Sequence, residues 1–135
     1  MERTVLGGTV TIDETFVEAP TAAIDRFLAT YEAGEAVSHD LPIAYPDSFT
    51  GRVMREMATI PPGETRTYGD VAAALDTAPI AVGRAAGRNP IPILVPCHRV
   101  VATDSLGGYS GTGGVAQKRR LLAHEGVLDD HPDRG

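Results

Sequence analysis

The sequence contains little cysteine and no long apolar run. Its one cysteine, Cys97, excludes an internal disulfide, a CxxC redox pair and a thiolate-rich zinc site. No run of apolar residues approaches the roughly 18 that span a bilayer, and the first residues lack the apolar stretch of a signal peptide. We therefore expect a cytoplasmic protein, about one domain in length, whose core draws on the 42% of residues that are apolar.

Lysine is also scarce, since a single lysine accompanies eleven arginines. The 18 acidic and 12 basic side chains give a net charge of −6, which weakly disfavours a nucleic-acid partner. The charge is unevenly distributed, however, because residues 51–126 have a net charge of +3 and the other 59 residues a net charge of −9. A basic surface on the middle of the chain is compatible with this distribution. The arginine-rich, acidic composition is typical of proteins from a high-salt cytoplasm.

The first 47 residues predict a strand, a helix and a linker. Residues 3–12 alternate loosely between apolar and polar side chains, which predicts the strand. Residues 20–34 carry apolar side chains at the spacing of a one-faced helix. Residues 35–47 contain two prolines and no helical stripe, so we interpret them as the linker and place a domain boundary near Asp47.

Short helices dominate the predicted second unit, residues 48–127. Ser48 is suited to cap a helix that ends before the next proline pair. Thr67 and Asp70 have the spacing of a capping box at the start of a two-turn helix, and Pro79 suits the first position of a further helix. Two short helices joined by a tight turn are typical of a helix-turn-helix motif, although an ordinary helical hairpin has the same pattern.

The composition of the second helix in this pair favours DNA binding. Arg84 and Arg88 flank a nearly bare face, so the helix can lie close to a duplex while its arginines reach phosphates. The small residues that form this face are Gly83, Ala85, Ala86 and Gly87.

Cys97 stands beside His98 in an apolar stretch that contains three prolines. Proline cannot donate to a sheet ladder, so this stretch is not a regular central strand. A cysteine in such surroundings is most often a small buried hydrophobe, but an adjacent imidazole can generate the nucleophilic thiolate. Neighbouring side chains of an extended chain point to opposite faces, so contact between the two requires a turn or a bridging water.

The last predicted helix runs from Val115 to Glu125 and is followed by an acidic tail, residues 128–135. We expect Lys118 and the two arginines after it to point largely outward. Glu125 is unfavourable for the helix dipole at this end. It is either a solvated surface residue or the carboxylate that holds an imidazole.

The segment around Cys97 resembles the active-site segment of the O6-alkylguanine-DNA alkyltransferases. The resemblance rests on GRNPIPILVPCHRV at residues 87–100 and continues in GYSG at 108–111, KRRLLAHEG at 118–126 and TYGDVA at 67–72. It covers roughly residues 48–127. Residues 1–47 resemble at most a shortened form of the family's variable N-terminal domain.

The resemblance implies an α/β fold of the α+β type. A small N-terminal sheet-and-helix domain would cover a C-terminal, winged-helix-like helix-turn-helix domain. The implied activity is DNA repair by a monomer that flips O6-alkylated guanine out of double-stranded DNA and transfers the alkyl group irreversibly to its own cysteine, as a methylated-DNA–protein-cysteine methyltransferase does. The sequence itself contains no cofactor motif, and its single cysteine and isolated His39 predict no metal site.

The resemblance also implies roles for five catalytic residues. Cys97 would attack the alkyl carbon, His98 would deprotonate the thiol through a water, and Glu125 would orient His98. Asn89 would fix the backbone near Cys97 at the end of the recognition helix. Tyr68 would contact the phosphate beside the flipped nucleotide and help to protonate the leaving guanine.

Two further groups of residues follow from the same resemblance. The implied substrate pocket includes side chains and backbone groups of Tyr109, Ser110, Pro92, Val95, Val100 and Lys118. The implied DNA-binding residues are Tyr68, Ile80, Ala81, Arg84, Ala85 and Arg88.

The sequence departs from the family pattern at two places. Ile80 stands where family members usually insert an arginine into the duplex; it could act as an apolar wedge or pack into the core beneath Val71 and Leu75. The loop from Tyr109 to Lys118 is about two residues longer than the commonest form.

Two other functions remain open. A relative that binds alkylated or distorted DNA without useful transfer is the main alternative, favoured by Ile80 and by the acidic N-terminal half. A Cys-His-Glu hydrolase or redox enzyme is the other, although the chain has no resolving cysteine and no identifiable oxyanion loop.

Overall fold

The structure is a computed structural model that describes residues 1–34, 38–107 and 114–128. Short strands and helices alternate in it, which confirms the predicted mixed α/β class. In chain order they are β1 (Glu2–Val5), β2 (Gly8–Thr11), α1 (Thr21–Glu32), α2 (Phe49–Met57), β3 (Arg66–Thr67), α3 (Tyr68–Leu75), α4 (Pro79–Ala86), β4 (Val100–Val101) and α5 (Gly114–His124). Single 3-10 turns occur at Glu14–Phe16 and Cys97–Arg99.

The N-terminal strand prediction was wrong in one respect, because residues 2–11 form an antiparallel hairpin. The chain reverses at Leu6 and Gly7, whose φ angles are 52° and 82°. A two-residue hairpin turn with positive φ at both positions matches the twist of the flanking strands, and glycine adopts it without strain. Leu6 offers no such signal, so the pattern looked like one longer strand.

Helix α1 has the predicted apolar face. Ile24, Leu28 and Tyr31 are buried at the spacing of one helical stripe. Residues 38–47 then pass along the molecule without regular structure apart from one bridge between Val17 and Ile43. The linker interpretation therefore agrees with the part of 35–47 that the structure describes.

The helix starts follow the capping signals in the sequence. The Ser48 hydroxyl accepts the first-turn amide of Gly51 at the start of α2. Thr67 and Asp70 form the predicted capping box at the start of α3. Helix α4 begins with Pro79 at its first position, where a missing N–H costs nothing. Helices α3 and α4 thus form the predicted helix pair.

Two features bring the stretch around Cys97, residues 91–100, against α3; it is called the reactive stretch below. Strand β3 pairs in parallel with β4, so that Thr67 lies opposite Val101. Buried side chains from residues 1–47 and 48–127 form one contiguous core cluster around this pairing. The domain boundary near Asp47 stays a prediction.

Within the described ranges, no helix is long and apolar enough to cross a membrane.

Candidate active site

The stretch from Ile91 to Val100 is buried throughout and follows an irregular path. Ile93 has a φ of 73°, an unusual and strained conformation for a β-branched residue. The amide of Val95 donates to the Ile91 carbonyl at 3.0 Å, and the amide of Cys97 donates to the Val95 carbonyl at 2.8 Å. This local hydrogen bonding replaces the ladder of a regular strand, which agrees with the proline pattern.

Asn89 fixes this path just beyond the end of α4. Its Nδ2 donates to the Val95 carbonyl at 2.8 Å, and its Oδ1 accepts from the Ile91 amide at 3.1 Å. The side chain therefore closes the loop that precedes Cys97.

The 3-10 turn at Cys97–Arg99 places both the thiol and the imidazole in the interior. Cys97 is 8% exposed and His98 is fully buried. His98 Nε2 lies 2.7 Å from Glu125 Oε2, while its buried Nδ1 has no hydrogen-bond partner among the described residues. Burial lowers the pKa of His98 against the opposing effect of Glu125. The resting imidazole is therefore neutral, donates from Nε2 and presents the lone pair of Nδ1.

Glu125 is a buried carboxylate, so its alternative assignment as a solvated surface residue was wrong. Oε1 accepts from Arg99 Nε at 2.8 Å, and Oε2 accepts from Arg99 Nη2 at 2.9 Å and from the Tyr31 hydroxyl at 2.7 Å, besides His98. Burial opposes its ionisation, but the hydrogen bonds from His98, Arg99 and Tyr31 hold its pKa well below the usual range. The group is therefore ionised at neutral pH.

Lys118 lies in the interior, contrary to the outward orientation predicted for it. Its side chain is fully buried, and Nζ donates to the Val100 carbonyl at 2.7 Å. The ammonium lies 5.7 Å from the centre of the Tyr68 ring and interacts electrostatically with Cys97. Burial lowers its pKa to about 8. The Lys118 ammonium is therefore a cation that interacts with the Cys97 thiol.

Tyr68, the first residue of α3, lines the same region and is half-buried. Burial and the neighbouring Cys97 both raise the pKa of its phenol. Gly107 packs directly on this ring: a Cβ at that position would lie 2.9 Å from Tyr68 Cε2, and its φ of 72° also requires glycine. The phenol is therefore held against the reactive stretch.

A cleft of about 550 Å³ opens on Cys97. Asn89 and Pro92 line it together with Cys97, and strand β2 also contributes to its lining. The full lining consists of Met1, Thr9, Val10, Thr11, Ile12, Asp13, Glu14, Ala86, Gly87, Asn89, Pro90, Pro92 and Cys97.

Three of the six predicted DNA-binding residues, Ile80, Ala81 and Arg84, lie on the outer side of α4, and Arg88 follows just after its end. Ile80 is 66% exposed, which excludes its packing in the core, and Arg84 and Arg88 are also exposed. Ala81 is partly exposed. Ala85 was expected on this face but is 1% exposed, because the helical period places it inward with the core.

The structure describes only some of the remaining predicted pocket residues. Val95 and Val100 are buried, and their carbonyls already accept from Asn89 and Lys118, respectively. Tyr109 and Ser110 lie outside the described residues. No group of three or more His, Cys, Asp or Glu side chains suited to a metal ion occurs in the part of the chain that is described.

Two residues of this network were missed by the sequence analysis. Tyr31 was assigned only to the apolar face of α1, and Arg99 was given no role. Arg99 carried a usable signal, because a charged residue inside a buried stretch requires an ionic partner. Tyr31 carried none, since its partner Glu125 is 94 positions away.

Comparison with known proteins places this site in a family. Residues 48–127 match the DNA-binding domain of 6-O-methylguanine DNA methyltransferase. The chain belongs to the 6-O-methylguanine DNA methyltransferase family. This confirms the resemblance drawn from the segment around Cys97, and the matched range includes every residue of the site described above except Tyr31 and the N-terminal wall of the cleft.

Relatives and solved structures of this family align over much of the chain. The methylated-DNA–protein-cysteine methyltransferase of Archaeoglobus fulgidus is 47% identical over 108 residues, which are 76% of this chain and 74% of the relative. That of Methanocaldococcus vulcanius is 44% identical over 70% of this chain and 56% of its own length. Mycobacterium tuberculosis OGT in complex with DNA is 33% identical, with a TM-score of 0.78 over 92% of this chain and 90% of that one.

Proposed function

We propose that this family member repairs double-stranded DNA by transferring the alkyl group of O6-alkylguanine to Cys97. The observation that carries the proposal is the buried series of Cys97, His98 and Glu125, which opens on a cleft beside α4. A neutral imidazole that follows the cysteine in sequence and is held by an ionised carboxylate can take up the thiol proton, which generates a thiolate nucleophile.

The geometry supports the following reaction. His98 Nδ1 accepts the thiol proton through a bridging water, and Glu125 stabilises the imidazolium that results. The Cys97 sulfur then forms a bond to the alkyl carbon as the bond between that carbon and guanine O6 breaks. The electron pair of the broken bond stays on guanine, which takes up a proton with the help of Tyr68. The Lys118 ammonium stabilises the thiolate before attack.

Substrate placement is proposed from the lining of the cleft. Pro92 lines the same cleft as Cys97, so we propose that it contacts the O6 substituent, and Asn89 keeps the Val95 carbonyl in place. A carbonyl oxygen has two lone pairs, so that of Val100 can accept from guanine in addition to Lys118, whereas that of Val95 already accepts from Asn89 and Cys97. Tyr109 and Ser110 remain predicted parts of this pocket.

Helix α4 is the proposed DNA-binding element. Arg84 lies on its exposed side and Arg88 follows two residues after its end; both reach phosphates, while Ala81 allows a close approach. A base inside a duplex cannot reach the thiol, so the guanine must flip out at a cost of a few kcal/mol. Ile80, at the start of the helix, is positioned to wedge into the gap that the base leaves.

We further propose that each monomer acts once. A thioether at Cys97 is not cleaved by thiols, and the chain contains no second cysteine that could remove the group.

Intact-protein mass spectrometry after incubation with excess methylated duplex tests the proposal. We expect the mass of one methyl group to be added to Cys97 and no further turnover. Cys97→Ser should abolish the mass increase while retaining DNA binding, because the binding residues lie on α3 and α4. Loss of DNA binding in Cys97→Ser as severe as the loss of transfer would assign the thiol a structural role instead.

A DNA-lesion-binding protein without transfer is the second candidate, and the exposed Ile80 in place of a polar residue favours it. In the same experiment such a protein would bind the methylated duplex without any increase in mass. A hydrolase would release product repeatedly and leave Cys97 unmodified.

A further inference from the structure

Tyr31 connects helix α1 to the network of His98, Arg99 and Glu125. Its hydroxyl donates to Glu125 Oε2 at 2.7 Å, and the side chain is 1% exposed. The backbone carbonyl of the same residue accepts from His124 Nε2 at 2.5 Å. Helix α1 is thus joined to two successive residues at the end of α5.

The oxygen that receives the Tyr31 hydroxyl is the one that holds His98. Glu125 Oε2 accepts from Tyr31, from His98 Nε2 and from Arg99 Nη2, whereas Oε1 accepts from Arg99 Nε. Donors to one oxygen compete for the same negative charge. Tyr31 therefore acts on the strength of the bond between Glu125 and the imidazole.

Other charges around His98 do not depend on Tyr31. Arg99 and Lys118 both disfavour the imidazolium, and Arg99 is also bound to the Ile60 carbonyl at 2.7 Å. His124 packs on the Tyr31 ring, with 5.0 Å between ring centres. Because Arg99 contacts both carboxylate oxygens, Glu125 keeps its place when the hydroxyl is removed.

We propose that Tyr31 is a positioning residue that limits the negative charge Glu125 offers to His98 and thereby sets the pH below which Cys97 stops accepting alkyl groups. This inference rests on the proposed function, in which Cys97 is the acceptor and His98 the base. It assigns the N-terminal segment a part in the reaction, through a residue outside the range that matches the family's DNA-binding domain.

The direction of the effect follows from the competition at Oε2. Without the hydroxyl, Oε2 carries more negative charge toward Nε2 and stabilises the imidazolium. His98 then retains its proton to a higher pH, so the base is lost at a higher pH.

Tyr31→Phe tests this, because it removes the hydroxyl and keeps the ring. Two quantities are measured against pH: the imidazole titration of His98 by NMR and the single-turnover rate of transfer from methylated duplex. We expect both midpoints to rise by about half a pH unit in Tyr31→Phe. The matched control is Phe27→Leu, which alters the ring packed against Tyr31 at 6.2 Å and leaves the hydroxyl intact.

Phe27→Leu should lower the melting temperature without moving either midpoint. Unchanged or lowered midpoints in Tyr31→Phe, with only a reduced melting temperature, would overturn the proposal and leave Tyr31 a packing residue. If the wild-type protein transfers no alkyl group, the proposed function fails, but the NMR titration still decides whether Tyr31 acts on His98.

Discussion

Ile80 is the most exposed large apolar side chain among the described residues. If flipping is limited by the lack of a polar group to replace the extruded base, Ile80→Arg should speed transfer from duplex DNA. We expect an increase of about tenfold in the single-turnover rate, which corresponds to roughly 1.4 kcal/mol of barrier. Transfer from the alkylated guanine base alone needs no flipping and should change little.

The melting temperature is the control for this variant. Because Ile80 is 66% exposed, an arginine at its position buries no charge and should leave the melting temperature nearly unchanged. Slower repair of duplex DNA by a variant of normal stability would contradict the limitation at Ile80 and favour the apolar wedge as the efficient form.

Single residues also show how much of the site the sequence could predict. Cys97, His98 and Glu125 were predicted together because the motif around Cys97 is specific, and the structure shows the predicted bond between Glu125 and His98, the neighbour of Cys97 in sequence. Lys118 was placed on the wrong side of its helix. Successive residues of a helix point about 100° apart, so three consecutive basic residues cannot all face solvent equally. Its buried partner is the Val100 carbonyl, which no local pattern reveals.

At the scale of elements, the start of α2 depends on a close backbone approach. A Cβ on Gly51 would lie 1.8 Å from the Pro46 carbonyl oxygen. Gly51→Ala should therefore lower the free energy of unfolding by about 2 to 3 kcal/mol, as overpacking does, although alanine is the better helix former. Urea denaturation measures the difference.

Gly83 in α4 provides the matched comparison. The nearest atom to a Cβ there, Tyr68 Cε1, is at the ordinary contact distance of 3.9 Å. Gly83→Ala should therefore raise the free energy of unfolding by up to about 1 kcal/mol, because alanine has the higher helix propensity. An equal increase in the free energy of unfolding of both variants would exclude the close approach at Gly51.

Helices were predicted better than strands for a physical reason. The starts of α2, α3 and α4 are encoded by residues within one turn, as Ser48, Thr67 and Pro79 illustrate. The parallel pair of β3 and β4 joins residues more than thirty positions apart and has only two residues in each strand. Such a pair leaves no periodic signal, so its existence emerged only from the structure.

At the scale of the whole molecule, acid should destabilise the fold through the two titrating groups of the buried network. The pKa of His98 is lowered from 6.5 by burial, and that of Glu125 is lowered from 4.5 chiefly by its hydrogen bonds, against the effect of burial. In both cases the unfolded chain binds protons that the folded protein does not. The free energy of unfolding therefore falls as the pH drops below 6.5 and falls again below 4.5.

Between pH 6.5 and pH 5 the change in stability reports on His98, because Glu125 remains ionised in folded and unfolded protein above pH 5. Below pH 6.5 the free energy of unfolding falls by up to about 1.4 kcal/mol for each pH unit over which the folded imidazole stays neutral. Urea denaturation at pH 7.5 and 5.0, at equal ionic strength, measures it. His98→Gln keeps a donor for Glu125 without a titrating ring, and its stability should change less over this window. An equal loss in both proteins would show that other groups, rather than the buried imidazole, cause the acid sensitivity.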